Sequence, residues 1–322
     1  MKVENKLKFS VFLPCYTFKT EKTGARLFNH LLEAVLECEQ LGYHSVFLDD
    51  HLMLDKKPIL ECWTTLPALS TKTKKIMLGT MVSCNSFRNP SLLAKMAATV
   101  DNISNGRLEL GIGAGVRKIE HVAYGYPFPN SKVRIERLGE AVQIIRKMWT
   151  QETTSFMGKY YQIRDAVCEP KPLQKPHPPI VIGGGGEKLT LKVTARYADR
   201  FDWGYLPSLE DYKRKLNALE NYCKVVDRHF SDIELSCWPM GQTFLVNDKE
   251  GLAKKIHQWL PKGVSQEDFL RSNFVSTPKD CIRYIREYLN LGVRHFMVLF
   301  GDIPDLSGLR LFAEKVIPNI QR

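Results

Sequence analysis

The sequence predicts an α/β protein with the architecture of a TIM (β/α)8 barrel, and three observations support this prediction. Short apolar runs alternate with amphipathic helical patterns, which is typical of a parallel sheet with crossover helices. Eight such runs occur, which is the number of strands that closes this barrel. No low-complexity tract or linker divides the 322 residues, so we expect a single domain over residues 1–322.

The elements follow one another in the order that a barrel requires. The predicted strands are apolar runs rich in Val, Ile and Phe. The predicted helices carry apolar residues at helical spacing, and Gly42 and Gly292 stand where a helix end favours glycine. We predict strands at residues 8–14, 45–50, 76–83, 107–113, 179–184, 199–204, 235–246 and 294–301, and helices at residues 27–42, 90–104, 134–149, 209–226 and 277–292.

The segment between the helix at 134–149 and the strand at 179–184 is too long for an ordinary connection. Its prolines exclude a helix over much of its length. We therefore predict an inserted hairpin with an extended segment near residues 152–179.

Composition restricts the classes of function. No apolar run approaches the roughly 20 residues of a membrane span, and the polar N-terminus is not a secretory signal, so we expect a cytoplasmic protein without membrane contact. The net charge of +11 suits an anionic partner, but the lysines are dispersed, which favours an anionic cofactor over nucleic acid. The eight cysteines form no C-x-x-C pair and the histidines form no H-E-x-x-H motif, so we expect no metal site.

In a TIM barrel the residues that follow the strands line the active site. His51 follows the second predicted strand in the stretch FLDDH, and a histidine at this place is a natural acid or base. Position alone leaves open that His51 is a solvated turn residue. Cys84, after the third strand, is either a reactive thiol or a buried structural cysteine.

Four consecutive glycines, Gly183 to Gly186, separate the fifth predicted strand from a helix-like start. Backbone N–H groups at a helix N-terminus bind anions, and glycine lets a phosphate approach closely, although a flexible turn would also contain glycine. The stretch is not a Walker loop, because Glu187, Lys188 and Leu189 follow it. The glycines at 111, 113 and 115 fail as a dinucleotide fingerprint, because Val116 stands where a glycine is needed.

Several ordered stretches, including GYHSVFLDDH, LGTMVSCNSFRNPSLLAKMAATVDNISNGRLELGIGAG and PKPLQKPHPPIVIGGGGEKLTLKVTARYADRFD, resemble the luciferase-like monooxygenase superfamily. Within it, they resemble the branch of oxidoreductases that use the deazaflavin coenzyme F-420 (F420). The resemblance runs from about residue 8 to about residue 205 and more weakly beyond. It implies a TIM barrel with the cofactor at the C-terminal mouth.

The resemblance also implies roles for individual residues. His51 would donate or accept a proton beside the cofactor ring, and the glycine loop would take the cofactor phosphate. Members of the branch support the ring on a bulge with a non-prolyl cis peptide, matched here by Ser83 to Asn85. Val116 and Arg117 occupy the region of the family's second acid and Glu120 comes late, so the sequence does not establish a second acid. The implied cofactor-binding residues are Asp50, Ser83, Cys84, Asn85, Ala114, Gly183, Gly184, Gly185, Gly186 and Thr190.

The expected reaction is hydride transfer between C5 of F420 and a small organic substrate, with His51 moving the accompanying proton. Arg88, Arg117 and Lys188 would attract the anionic cofactor if they line the mouth, although each could equally be a solubilising charge. Two alternatives remain: an FMN-dependent monooxygenase of the same superfamily, and a non-catalytic barrel that only binds the cofactor. Members of the family often dimerise, so we expect a homodimer.

Overall fold

Eight parallel strands close into a barrel in the computed structural model, which describes residues 6–16, 24–205 and 208–321. The strands neighbour one another in chain order, and the last pairs with the first, with Lys8 opposite His295. The predicted TIM barrel is therefore confirmed. Numbered along the chain, the barrel strands are β1 (Lys8–Leu13), β2 (Ser45–Leu48), β3 (Met77–Thr80), β5 (Leu108–Gly113), β8 (Ile180–Gly183), β9 (Arg200–Tyr205), β10 (Glu234–Trp238) and β13 (His295–Phe300).

The remaining strands lie beside the barrel or extend it. The single strand predicted at 235–246 is wrong, because Gly241 takes a positive φ of 55° and the chain turns there. Its second half leaves β10 and pairs with the end of β13, where Gln242 faces Leu299. The additional strands are β4 (Ser83–Cys84), β6 (Thr154–Met157), β7 (Gln162–Ala166), β11 (Gln242–Leu245) and β12 (Asn273–Ser276).

Helices surround the sheet, and most of the long ones begin at a residue whose side chain caps the free N–H groups. Asn89, Asn130, Ser208 and Thr277 each accept a hydrogen bond from a backbone N–H of the first turn. The helices are α1 (Gly24–Gln40), α2 (Cys62–Ser70), α3 (Pro90–Ile103), α4 (Lys118–Ala123), α5 (Ser131–Thr150), α6 (Thr190–Tyr197), α7 (Leu209–Val225), α8 (Lys249–Trp259), α9 (Gln266–Ser272), α10 (Pro278–Leu289), α11 (Ser307–Leu311) and α12 (Ile317–Gln321).

The predicted insertion is present as an antiparallel hairpin formed by β6 and β7. Glu140 on α5 holds the turn, because its carboxylate accepts hydrogen bonds from the backbone N–H groups of Lys159, Tyr160 and Tyr161. The hairpin is thereby fixed to the outer face of the barrel. Within the described ranges, no helix combines the length and the apolar character that crossing a membrane requires.

The barrel interior contains an internal charge cluster at the N-terminal ends of the strands. Arg200 and Glu109 form a fully buried ion pair, and Glu234 and His295 lie beside them. Around this cluster, apolar side chains of strands and helices form the continuous core of the molecule. The cluster lies at the N-terminal ends of the strands, whereas the residues that follow the strands line the opposite, C-terminal mouth.

Candidate active site

The C-terminal ends of the strands enclose a cavity of about 500 Å³. This volume lies in the usual range for a small-molecule site, and the location is the one expected for a TIM barrel. The cavity is bounded by the residues after β2, by the strand ends of β4, β5, β8, β9 and β10, and by α4. Its lining includes Asp50, His51, Val82, Cys84, Ala114, Glu120, Gly183, Gly184, Asp202 and Trp238.

His51 is paired with a buried carboxylate on the cavity wall. Its Nδ1 lies 3.0 Å from Oε2 of Glu120, whose side chain is 1% exposed. The other oxygen of Glu120 accepts hydrogen bonds from the backbone N–H groups of Leu52 (2.5 Å) and Met53 (3.1 Å). Because a carboxylate only accepts, Nδ1 carries the hydrogen and Nε2 remains the acid or base nitrogen for a ligand.

Glu120 is a candidate site residue that the sequence analysis did not assign. It lies on the short helix α4, which follows β5 and folds back over the end of β2. No local motif places it beside His51, because 69 positions separate the two residues along the chain. The barrel closes that distance by setting the two loops side by side.

Asp50, a predicted cofactor-binding residue, is held rigidly beside His51. Its carboxylate accepts two hydrogen bonds from Arg88, at 2.6 and 3.0 Å, and one from the backbone N–H of Cys84 at 2.9 Å. Burial raises the pKa of Asp50, and the Arg88 guanidinium opposes that shift. Arg88 also pairs with Glu61, so it neutralises the carboxylates that surround it, and it is not among the residues that line the cavity. Of the other two cations predicted for the mouth, Arg117 lines the cavity.

The back wall of the cavity is the side chain of Val82. Its methyl groups fill the space where a Cβ would stand on two glycines: such an atom would lie 2.6 Å from Val82 on Gly113 and 2.7 Å on Gly183. The non-prolyl cis peptide bond is Met81–Val82, which precedes the stretch Ser83 to Asn85 matched from the sequence. Val82, Gly113 and Gly183 together present an apolar surface to a ligand.

The predicted residues of the Ser83 to Asn85 stretch separate in the structure. The Cys84 thiol lines the cavity and lies 3.8 Å from Nε2 of His121. Burial raises the pKa of Cys84 to about 11, which keeps it a thiol. Ser83 turns away to accept a hydrogen bond from Trp63, and Asn85 donates to Tyr161, so these two side chains support the wall from behind.

The glycine loop, residues 183–186, connects β8 to α6 at the cavity edge. Gly183 and Gly184 line the cavity, and Gly184 takes a φ of 111° that side chains rarely adopt. In the part of the chain that the structure describes, no backbone N–H from 185 to 190 donates to a main-chain carbonyl. No side chain of these residues caps α6, because its N-cap residue is Leu189. N–H groups without a main-chain acceptor at the start of a helix are chemically suited to binding an anion.

Asp202 lies across the cavity from His51 and was missed by sequence analysis. It belongs to β9, which is four strands away from β2 in the ring of eight. Its carboxylate accepts hydrogen bonds from Ser236 and, at 2.9 Å, from Nε1 of Trp238. Burial raises the pKa of Asp202 despite these donors. Only its place in the barrel identifies it, since an Asp inside a strand has no distinctive sequence signal.

The residues present fit a flavin-like group with a phosphate. The apolar surface of Val82 suits an aromatic ring, and the N–H groups of residues 185–190, which have no main-chain acceptor within the described ranges, suit a phosphate. Val82 and the first two glycines of the loop line the same cavity. Of the predicted cofactor-binding residues, Asp50, Cys84, Ala114, Gly183 and Gly184 line that cavity. Gly185, Gly186 and Thr190 belong to the adjoining loop and helix start.

Comparison with known proteins points in one direction. The sequence model described as luciferase-like monooxygenase matches residues 7–260. An F420-dependent glucose-6-phosphate dehydrogenase of Amycolatopsis mediterranei is 29% identical, over 95% of this chain and 98% of that protein. One from Kineococcus radiotolerans is 34% identical over 55% of this chain and 51% of its own length.

Solved structures share the fold at lower identity. An F420-dependent secondary alcohol dehydrogenase, solved in complex with an F420-acetone adduct, superimposes with a TM-score of 0.80 at 21% identity, over 98% of this chain and 99% of that one. The EDTA monooxygenase of Chelativorans sp. BNC1 superimposes with a TM-score of 0.83 at 14% identity, over 98% and 93% of the two chains. At these identities the likeness establishes the barrel.

Proposed function

The chain belongs to the luciferase-like monooxygenase family, and on this premise we propose that it is an F420-dependent oxidoreductase acting on a small hydroxy or carbonyl compound. One observation carries the proposal: a single cavity brings the His51–Glu120 pair and the glycine loop to the same mouth of the barrel. A proton-transfer group and an anion site beside one apolar wall are what a deazaflavin dehydrogenase requires.

Each part of the cofactor has residues suited to it. The free N–H groups at the start of α6 would bind the phosphate, and Val82 would support the ring from behind. Asp50, Cys84 and Ala114 border the remaining space. When bound, F420 supplies hydride transfer at C5 of its ring.

The proton is managed by the chain itself. In the oxidation of an alcohol, the hydride leaves the carbinol carbon and Nε2 of His51 accepts the hydroxyl proton; in carbonyl reduction the same nitrogen returns it. Glu120 fixes the tautomer with Nδ1–H and stabilises the charged ring that forms. Asp202 and Trp238 face the substrate from the opposite side.

The substrate class follows from these groups and from the relatives. Those proteins are named for dehydrogenation of glucose-6-phosphate, and one structural neighbour is named for secondary alcohols. His51 can deprotonate a hydroxyl group while hydride leaves the carbon that carries this group, provided that the carbon also bears a hydrogen. We therefore propose an alcohol or its carbonyl product as the substrate, without assigning which one.

A binding experiment tests the cofactor. The purified protein is titrated with F420 and, separately, with FMN, while ligand fluorescence is followed. We expect F420 to bind with a Kd at least about tenfold lower than that of FMN. Preference for FMN would overturn the assignment and favour a flavin-dependent monooxygenase, and binding of neither would remove the proposed function.

Two variants test the proton-transfer pair. His51→Ala should keep F420 affinity and lose turnover of any alcohol that the unmodified protein oxidises. Glu120→Gln preserves an oxygen for the N–H groups of Leu52 and Met53 but presents an NH₂ group to Nδ1, so it favours the wrong tautomer. We expect turnover to fall by about two to four powers of ten. Turnover within about threefold of the unmodified protein would show that Glu120 does not orient His51.

We also propose that the protein is a homodimer. Met157 and Val167, on and just after the β6–β7 hairpin, are 70% and 57% exposed, which suits burial against a second copy. Light scattering should give twice the chain mass of 36.9 kDa. A particle of one chain mass would refute the dimer.

A further inference from the structure

A buried lysine lies directly beneath the glycine loop. Lys215 belongs to α7, and the whole residue is 9% exposed. Its ammonium group donates to the carbonyl oxygen of Gly185 at 2.6 Å and lies 3.3 Å from Oε1 of Glu187. A lysine is seldom buried to this degree, and burial without acceptors would be costly, so these contacts fix its position.

The loop is clamped between this lysine and a tryptophan. The ammonium group of Lys215 lies 4.3 Å from the ring centroid of Trp203. A Cβ on Gly185 would fall 2.4 Å from the same ring, so only glycine lets the backbone pack against it. Trp203 also lines the cavity. The loop, the indole and the ammonium group therefore form one packed unit at the cavity edge.

The contact determines which way a peptide group points. In a trans peptide the C=O and the following N–H point in opposite directions. Because the carbonyl of Gly185 is directed at the buried Lys215, the N–H of Gly186 is directed away from it. Gly186 is exposed, and its N–H is among the donors without a main-chain partner within the described ranges.

We infer that Lys215 is the positioning residue of the cofactor phosphate site: by binding the Gly185 carbonyl from below, it turns the loop N–H groups toward the phosphate. Lys215 acts through the loop. Its positive charge is also separated from the phosphate site by only one peptide group, which is close enough for electrostatic attraction. Glu187, shared with Arg214 at 3.1 Å, completes the support on the outer side. This inference rests on the proposed function.

The experiment compares F420 with a ligand that lacks its phosphate and the glutamate tail attached to that phosphate. F420 and the same deazaflavin chromophore with its ribityl chain but no phosphate are titrated into three proteins: unmodified, Lys215→Met and Lys213→Met. Lys213 is an exposed lysine on the same helix and serves as the matched control. For Lys215→Met we expect the Kd for F420 to rise at least about tenfold, about 1.4 kcal/mol, with the Kd of the phosphate-free ligand changed less than about twofold.

The outcomes separate the inference from the function on which it rests. Equal weakening of both ligands would mean that Lys215 only maintains the fold, and unchanged F420 binding would mean that the loop needs no support; either result overturns the inference. If the unmodified protein does not bind F420, the proposed function itself is wrong. Lys215→Gln, which keeps a polar group in the buried site, should show the same phosphate-selective loss and serves if the methionine variant does not fold.

Discussion

One of the buried histidines, His295, should make the folded barrel less stable at acidic pH. The ring is fully buried, with Nδ1 3.0 Å from Nη1 of Arg200 and Nε2 2.5 Å from Oγ of Ser10. A guanidinium only donates hydrogen bonds, so Nδ1 is the acceptor and Nε2 carries the hydrogen. A second proton on Nδ1 would point at the Arg200 cation, even though Oε2 of Glu234 lies 3.5 Å away.

The magnitude follows from the pKa of this ring. Burial, followed by the charge of Arg200, lowers the pKa of His295 from 6.5 to about 4, although Glu234 and Glu109 act in the opposite direction. Between these values the unfolded chain binds a proton that the folded one does not, so stability falls as the pH falls. The gap of about 2.5 pKa units corresponds to about 3 kcal/mol lost between pH 7 and pH 4. Glu109 and Glu234, whose pKa values are held low, begin to add their own loss as the pH falls below about 5, where the same groups in the unfolded chain start to bind protons.

Urea unfolding at a series of pH values between 7 and 4 measures this effect. His295→Asn removes the titrating ring, and His229→Asn removes an exposed histidine as the control. The unmodified protein and the control should lose about 3 kcal/mol more than His295→Asn over this range, whatever the absolute stability of each variant. A parallel pH dependence for all three proteins would refute the reasoning.

The ion pair, the back wall and the thiols can each be tested. Arg88→Met should lower the unfolding free energy in urea by about 3 kcal/mol, because it leaves Asp50 buried without its cation, and adding Asp50→Asn should recover part of the loss. Gly113→Ala should raise the Kd for F420 about tenfold by displacing Val82, and Val82→Ala should restore it; no rescue would argue against a shared wall. Ellman's reagent should titrate no thiol in the native protein and all eight after unfolding.

The barrel could be predicted from the sequence because each strand has a recognisable local pattern of apolar residues. Apolar runs and helical spacing depend on neighbours in the chain, so each of the eight predicted runs contains one barrel strand, although the run at 235–246 also includes the separate strand β11. The run at 235–246 failed because both halves are apolar and only the conformation of Gly241 divides them. Short helices such as α4 have too few residues for a periodic pattern to stand out.

The site was predicted only in part, for a physical reason of the same kind. His51 and the glycine loop follow strands and were identified, whereas Glu120 and Asp202 depend on which strand ends meet across the mouth. The partner of His51 is set by tertiary contact. The two residues are 69 positions apart, and the sequence between them contains no pattern that indicates the pairing. The contact of Lys215 with the glycine loop could not be predicted from the sequence either, because Lys215 lies on a different element from that loop.

Two cations near the site are buried and bind groups of the chain itself, whereas Arg117, one of the cations predicted for the mouth, lines the cavity. Arg88 turns inward to Asp50, whose carboxylate in turn accepts the N–H of Cys84, and Lys215 turns inward to the carbonyl of Gly185. In both places a cation binds an acceptor beneath the surface. A buried cation that already holds the backbone in place does not have to be ordered when a ligand binds. A free surface lysine does have to be ordered, which costs conformational entropy. The role we propose for these two buried charges is therefore to hold backbone N–H donors in place, whereas the net charge of +11 would attract an anionic cofactor at long range.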